Sequence, residues 1–166
     1  MATDREWANG YFQQAAADMR AASDLRGAAP SVVAMLVQMA LEKFGKAALL
    51  RSGQFGINSA RGSRRGASKM VRVLTRNHGA CRRLGYSGRS IEDDLLPLIY
   101  DLERSHPVLN RDGPHLEYPW ETPAGQIEWP AQHLAVGRRF RPENTQGIRL
   151  IKFLQQLCDR FDRVFL

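Results

Sequence analysis

Residues 31–51 read SVVAMLVQMALEKFGKAALLR, a strongly amphipathic stretch. Its apolar side chains recur at steps of three and four residues, which is the spacing of one face of an α-helix. Ser31 is a suitable N-cap and Gly53 a suitable stop. The stretch therefore predicts a long helix from Ser31 to about Arg51. Its apolar stripe consists of Val32, Met35, Leu36, Met39, Ala40, Phe44, Ala47 and Leu50.

The neighbouring segments show the same helical spacing. Thr3 with Glu6 three residues later is a capping box, so a first helix should run from there to about Asp24. Residues 54–68 are rich in Gly, Ser and Arg and predict a mobile basic loop. A third helix is expected over residues 67–84, because Met70, Leu74, Asn77, Cys81 and Leu84 repeat at steps of four and three.

The second half of the chain predicts two more helices and an irregular insert. Ser90 should cap a fourth helix, which Pro97 kinks or shortens, and the last helix should start at 142 or 143. Residues 108–142 hold most of the prolines and two of the three tryptophans, which favours a small irregular hairpin. We therefore predict an all-α single domain over residues 1–166, an antiparallel bundle of four or five helices with this hairpin before the last one.

The predicted hairpin carries many apolar side chains for a segment interrupted by prolines. They are Leu116, Tyr118, Trp120, Ile127 and Trp129. An exposed group of this kind indicates a surface that something covers. We interpret Tyr118, Trp120 and Trp129 as contacts to a protein partner. The other interpretation is that these side chains fold back and close one end of the bundle.

The charge of the chain is unevenly distributed. The formal net charge is +7, from 24 basic and 17 acidic residues. No Asp or Glu occurs between Phe44 and Ile91, a segment that carries eleven Lys and Arg. Such segregation favours an anionic partner, and phosphate is the natural candidate because guanidinium groups bind it in a bidentate manner. An arginine-rich composition without any ligand is the other explanation.

On a helical wheel of the predicted third helix, the basic residues share one side. Lys69, Arg72, Arg76 and Arg83 all lie within about 40° of Arg65, and the apolar residues lie opposite. Like charges one turn apart repel, so a purely structural helix would gain from interspersed acids. We therefore predict a phosphate-binding or nucleic-acid-binding face. Its candidate residues are Arg64, Arg65, Lys69, Arg72, Arg76 and Arg83.

Several other classes of function are not indicated. Residues 62–69 contain Gly, Ser and Lys but lack the Gly-Lys-Ser/Thr ending of a P-loop, and no strand precedes them. The four histidines have no metal-ligand spacing, so we expect neither a metal nor a cofactor. Cys81 and Cys158 fall on apolar faces and should be buried free thiols. With neither a signal region nor an apolar span, we expect a cytoplasmic protein without a membrane segment.

The centre of the second helix, residues 38–47, has the pattern Gln-x-Ala-x-Glu-Lys-x-x-Lys-Ala. This pattern resembles the signature of the HEPN family, the all-helical nucleotide-binding domains of higher eukaryotes and prokaryotes. The alanine-rich first helix, ending in residues 18–25, is also similar. The signature residues are Gln38, Glu42, Lys43 and Lys46. From spacing alone, Glu42 and Lys46 form a favourable i, i+4 pair, and the four side chains are equally compatible with a solvated or partly buried polar stripe.

The resemblance implies two different activities. Some HEPN proteins are metal-independent ribonucleases that use an Arg-x(4–6)-His motif on a late helix, assembled across a dimer. The last helix here has no histidine, and the matching spacing is Arg72 with His78 on the third helix, about 120° apart around its axis. We therefore expect His78 to be a packed, hydrogen-bonded side chain. Arg72 and His78 remain the candidate catalytic pair of the ribonuclease alternative.

Other HEPN proteins lack the catalytic pair and bind a nucleotide, RNA or a nucleotidyltransferase, in some cases as half of a toxin–antitoxin pair. The resemblance thus implies a non-catalytic binding protein, expected to be a homodimer. A metal-independent ribonuclease and a protein-interaction scaffold are the alternatives.

Overall fold

The computed structural model describes residues 2–110 and 113–165, and these residues are mostly helical. The predicted all-α class is confirmed in this sense. Within the described residues there are ten helices and one two-stranded sheet, since several predicted helices are divided. The helices are α1 (Asp4–Asp24), α2 (Pro30–Arg51), α3 (Ile57–Gly62), α4 (Gly66–Arg76), α5 (His78–Leu84), α6 (Gly88–Asp94), α7 (Leu96–Arg104), α8 (Pro130–His133), α9 (Ala135–Arg138) and α10 (Thr145–Val164). The strands are β1 (Trp120–Glu121) and β2 (Ile127–Glu128).

Helices α1 and α2 form an antiparallel pair. Lys43 Nζ contacts Asp18 Oδ2 at 2.7 Å, and Arg51 Nη1 donates to Asn9 at 2.9 Å, so the partner in α1 moves toward the start of α1 as α2 advances. The predicted capping box of Thr3 is present, with both of its hydrogen bonds. The predicted N-cap of α2 at Ser31 is wrong. That helix begins one residue earlier, because proline is well accommodated at the first helical position.

The predicted third helix is wrong as a single element. It divides at Asn77 into α4 and α5, because the Asn77 side chain accepts a hydrogen bond from the Ala80 amide at 3.0 Å and so caps a new helix. Gly85, with φ of +80°, then ends α5 as its sequence position indicates. The expected loop at 54–68 contains the short helix α3 and the start of α4.

The predicted fourth helix is also divided. Ser87 rather than Ser90 caps α6, and Ser90 completes its capping box from the third position. Pro97 lies in the first turn of α7, where proline costs no hydrogen bond, and so it marks a helix start rather than a kink. The last helix begins at Thr145, later than expected, because Asn144 accepts hydrogen bonds from two amides of its first turn.

The core is continuous from α1 to α10 and depends on one close helix crossing. Large buried side chains come from α2, α4, α7 and α10, among them Phe44, Met70, Leu102 and Phe153. Where α2 crosses the start of α4, Gly45 faces Gly66. A Cβ placed on Gly45 would lie 2.2 Å from the carbonyl carbon of Gly66. The two backbones approach this closely only because residue 45 is a glycine.

The insert is partly core and partly surface. Strands β1 and β2 pair antiparallel, with Trp120 opposite Glu128. Trp120 is only 7% exposed and packs with Leu116 in the main core, so the predicted partner contact at Trp120 is wrong. Tyr118 and Ile127 are each 59% exposed, and Trp129 is also exposed. The hairpin therefore closes part of the core while leaving these three side chains at the surface. No helix in the described part of the chain has the length and apolar character to cross a membrane.

Candidate nucleic-acid interface

Helix α4 separates apolar and basic side chains onto opposite sides. Its buried side, formed by Ala67, Met70, Val71 and Leu74, packs against α2, α6 and α7. The side toward solvent carries four exposed cations, which we call the cationic face. The cationic face consists of Arg65, Lys69, Arg72 and Arg76. The helix is thus amphipathic, and its solvent-facing side carries basic residues without interspersed acidic ones.

The side chains of the cationic face make no direct ion pair in the described part of the chain, although acids lie nearby. Among the described residues, none of the four makes an ion pair with a carboxylate. Lys69 Nζ lies 4.7 Å from the centre of the Phe55 ring, and Arg72 Nη2 donates to the Tyr100 hydroxyl at 3.0 Å. Because a guanidinium has five N–H donors, Arg72 keeps donors for an anion after this bond.

Two of the predicted phosphate-binding residues lie away from the cationic face. Arg64 Nη1 contacts Glu42 Oε1 at 2.9 Å, so its charge is already paired. Arg83 belongs to α5, because of the break at Asn77. It is exposed, and its backbone carbonyl accepts a hydrogen bond from Arg160 at 2.7 Å. The structure therefore brings together four of the six predicted residues.

A cavity of about 720 Å³ lies beside the cationic face, between α4, α6 and α7. We call it the α4–α7 cavity. Arg65, Ser68, Lys69 and Arg72 line it from α4. Tyr100 and the carboxylates of Glu92, Asp101 and Glu103 face them, and Leu96, Pro97 and Leu109 supply apolar wall. Its volume is in the range of ligand-binding pockets.

Glu103 is a buried acid that sequence reasoning missed. Its Oε1 accepts a hydrogen bond from the Ser68 amide in the first turn of α4, at 2.9 Å. Burial raises the pKa of the Glu103 carboxyl, against the lowering by the Ser68 bonds and the charge of Arg65. Since Arg65, the N-cap residue of α4, provides no side-chain cap, Glu103 of α7 serves that purpose. A carboxylate thus holds the start of the cationic face in place.

The HEPN-like signature residues lie in a different, largely buried cluster. Glu42 accepts from Lys46 Nζ at 2.7 Å and from Arg64, and its Oε2 lies 3.5 Å from His106 Nε2. Gln38 is buried beside it, lining the same small gap. Lys43 turns to α1 and pairs with Asp18. The signature is therefore a partly buried polar stripe that ties α2 to its neighbours.

His106 accepts one hydrogen bond and lies beside Glu42. Its Nδ1 accepts from the Val108 amide at 3.1 Å, so in the neutral ring the proton lies on Nε2, toward Glu42. Burial lowers the pKa of His106, although the charge of Glu42 raises it. Burial raises the pKa of Glu42, but Lys46 and Arg64 outweigh this effect, so it lies below its usual value. The cluster is thus an ionised Glu42 with a neutral His106.

This state predicts a pH dependence of stability. Since the pKa of folded His106 lies below 6.5, the unfolded chain binds more protons between the two values. The free energy of unfolding should therefore fall as the pH drops from about 6.5. His106→Gln should flatten this part of the profile, measured by urea denaturation at several pH values. His78→Gln, at an exposed histidine, is the control, and an identical loss of slope in both variants would contradict the assignment to His106.

Among the described residues, no hydrogen bond joins Arg72 to His78, the candidate catalytic pair. His78 is exposed at the first position of α5, so the prediction of a packed histidine is wrong. Its place at the surface follows from the break at Asn77, which the wheel of one continuous helix did not include. Arg72 lines the α4–α7 cavity, whereas His78 lines a neighbouring open cleft of about 900 Å³, and Glu92 of α6 borders both.

The other histidines and the thiols have structural roles. His115 Nδ1 accepts from the Tyr118 amide, and His133 Nδ1 accepts from the Trp129 amide. Cys81 is buried and Cys158 is half-buried, and burial raises the pKa of the Cys158 thiol to about 11. Among residues 2–110 and 113–165 there is no group of three His, Cys, Asp or Glu side chains that could hold a metal.

No family model, curated protein or solved structure matches this chain. The resemblance to HEPN domains therefore rests on the sequence motif of α2 and the character of α1. The case for function rests on the cationic face and its cavity.

Proposed function

We propose that the protein binds nucleic acid, with the cationic face of α4 meeting the phosphate backbone. The observation that carries this proposal is the set of four exposed cations on one side of α4 without a paired carboxylate among the described residues. Lys and Arg spaced along a helix can neutralise successive phosphates, and this term supplies most of non-specific affinity. The absence of acids between Phe44 and Ile91 supports the same conclusion, since nothing in that segment would repel a polyanion.

The proposal includes an HEPN-like antiparallel bundle that binds rather than cleaves. The polar signature on α2 and the antiparallel packing of α1 on α2 support the fold. Two observations support a non-catalytic role: α10 carries no histidine, and His106 Nδ1 already accepts a hydrogen bond from the Val108 amide. The expected homodimer, the nucleotidyltransferase partner and the toxin–antitoxin role stay predictions.

Binding should depend steeply on salt. If four cations meet phosphates, the logarithm of affinity should fall with the logarithm of salt concentration at a slope of about −3 for single strands and about −4 for duplex. Arg65→Glu, Lys69→Glu and Arg76→Glu together should weaken binding about 100-fold or more and flatten this slope. Fluorescence anisotropy with labelled oligonucleotides measures both quantities. Arg72 is left intact because it also holds Tyr100.

The matched control reverses three exposed arginines elsewhere, Arg5, Arg26 and Arg163. The control changes net charge by the same amount, so equal losses in both triple variants would assign binding to overall charge instead of α4. Absence of binding by the wild type at low salt would reject the proposed function altogether.

A further inference from the structure

The α4–α7 cavity adds a second kind of surface to the cationic face. Phosphate needs only the exposed cations, yet Arg72 and Lys69 also border a recess with an aromatic ring and apolar walls. A backbone phosphate gains nothing from contact with an aromatic ring and apolar walls. The bases of a duplex are stacked within the double helix and cannot enter the recess. An unpaired base, in contrast, offers a flat apolar face and polar edges to a protein.

We propose that the α4–α7 cavity receives one unpaired base of a single-stranded nucleic acid whose phosphates lie on the cationic face. The inference rests on the proposed function and specifies its ligand as single-stranded. The Tyr100 ring would be the stacking platform, and Leu96, Pro97 and Leu109 would line the remaining apolar surface.

The position of Tyr100 favours this role. The ring is half-buried on α7, and its hydroxyl is held by Arg72 Nη2 at 3.0 Å. An aromatic platform fixed at both ends loses little side-chain freedom on binding. The Arg72 guanidinium that holds the ring also belongs to the cationic face. A base stacked on Tyr100 would therefore place its neighbouring phosphate next to Arg72.

The acidic residues that line the cavity determine which nucleobases can form hydrogen bonds there. Glu92, Asp101 and Glu103 line the cavity opposite the cations of α4, but Asp101 pairs with Arg104 and Glu103 accepts from the Ser68 amide, so the exposed Glu92 is the acid available to a ligand. An ionised carboxylate only accepts hydrogen bonds, so it matches bases that carry an exocyclic amino group, as carboxylates do with cytosine in DNA grooves. Uracil and thymine lack that group. We therefore expect adenine, cytosine and guanine to bind better than uracil at this position.

The test compares the affinity of single strands with that of a duplex of equal length, by anisotropy, for wild type, Tyr100→Ala and Tyr100→Phe. Wild type should prefer the single strand. Tyr100→Ala should lose about tenfold more affinity for the single strand than for the duplex. Tyr100→Phe keeps the ring and should retain most of the preference. Equal losses on single strand and duplex, or no loss, would overturn the inference.

A second measurement needs no variant. Replacing the bases of a labelled cytidine oligonucleotide by abasic sites should lower wild-type affinity about tenfold, and replacing cytidine by uridine should lower it less. RNA and DNA strands of the same sequence show whether the sugar matters. Undiminished binding of the abasic strand would reject the base cavity while leaving phosphate binding by α4 intact. The triple reversal on α4 tests the latter separately.

Discussion

Gly45→Ala is expected to lower the free energy of unfolding by more than about 3 kcal/mol. The added Cβ would lie 2.2 Å from the carbonyl carbon and 2.4 Å from the carbonyl oxygen of Gly66. Both are backbone atoms, so no side chain can rotate away, and the crossing of α2 and α4 must separate. Overpacking of a core commonly costs about 1–3 kcal/mol, and a clash of two backbones lies at the upper end or beyond. Urea denaturation measures the change.

Gly10→Ala is the matched control, since it makes the same substitution in a helix interior. A Cβ on Gly10 meets nothing within 4 Å, so alanine's higher helix propensity should raise stability by about 0.5–1 kcal/mol. Gly66→Ala should change stability little, because its Cβ contacts begin at 3.4 Å, an ordinary van der Waals distance. If Gly45→Ala were as well tolerated as Gly10→Ala, the close crossing would be refuted.

Glu42→Gln is expected to cost about 3 kcal/mol, through loss of charge rather than of volume. The substitution leaves Lys46, whose side chain is only 7% exposed, without its carboxylate. Removing one partner of a buried ion pair commonly costs about 3–5 kcal/mol, because the remaining charge stays desolvated. We expect the lower end of that range, since Arg64 is partly exposed and can be hydrated. Thermal and urea denaturation both report this change.

Asp93→Asn supplies the comparison, because Arg89 and Asp93 form an ion pair with the same i, i+4 spacing at the surface. Their side chains are 91% and 67% exposed, and such pairs contribute less than about 1 kcal/mol. The double variant Glu42→Gln with Lys46→Met should recover part of the loss, because it removes the orphaned charge. Similar effects of Glu42→Gln and Asp93→Asn would contradict a buried cluster.

The elements that the sequence predicts well are those in which local signals agree with packing. Helices α1 and α2 have long apolar stripes and short connections, so their bounds follow within a residue. The breaks at Asn77 and before Pro97 were missed or misplaced because the apolar spacing continues across them. In both places a capping side chain or a proline overrides the periodicity.

The residues of the candidate site also differ in whether a local sequence pattern predicts them. Arg65, Lys69, Arg72 and Arg76 follow from a helical wheel, because one turn of helix relates each to the next. Tyr100, Glu103 and His106 do not, because their positions depend on how α7 docks against α2 and α4, which no local pattern encodes. Trp120 is buried against the core and Trp129 is exposed. A two-residue strand carries too short an alternating pattern to predict which tryptophan is buried.

The hydrogen bond from Arg72 to Tyr100 makes one guanidinium common to the cationic face and the α4–α7 cavity. A group that draws Arg72 toward solvent loosens the phenol, and a group that fixes the phenol restrains Arg72. If both positions bind parts of one ligand, as proposed, this shared side chain would couple them, and coupling is reciprocal. If binding in the cavity changes the affinity of the cationic face by some factor, binding at the cationic face changes the affinity of the cavity by the same factor. Cooperativity between neighbouring parts of one ligand would then arise from a single side chain, without movement of any helix.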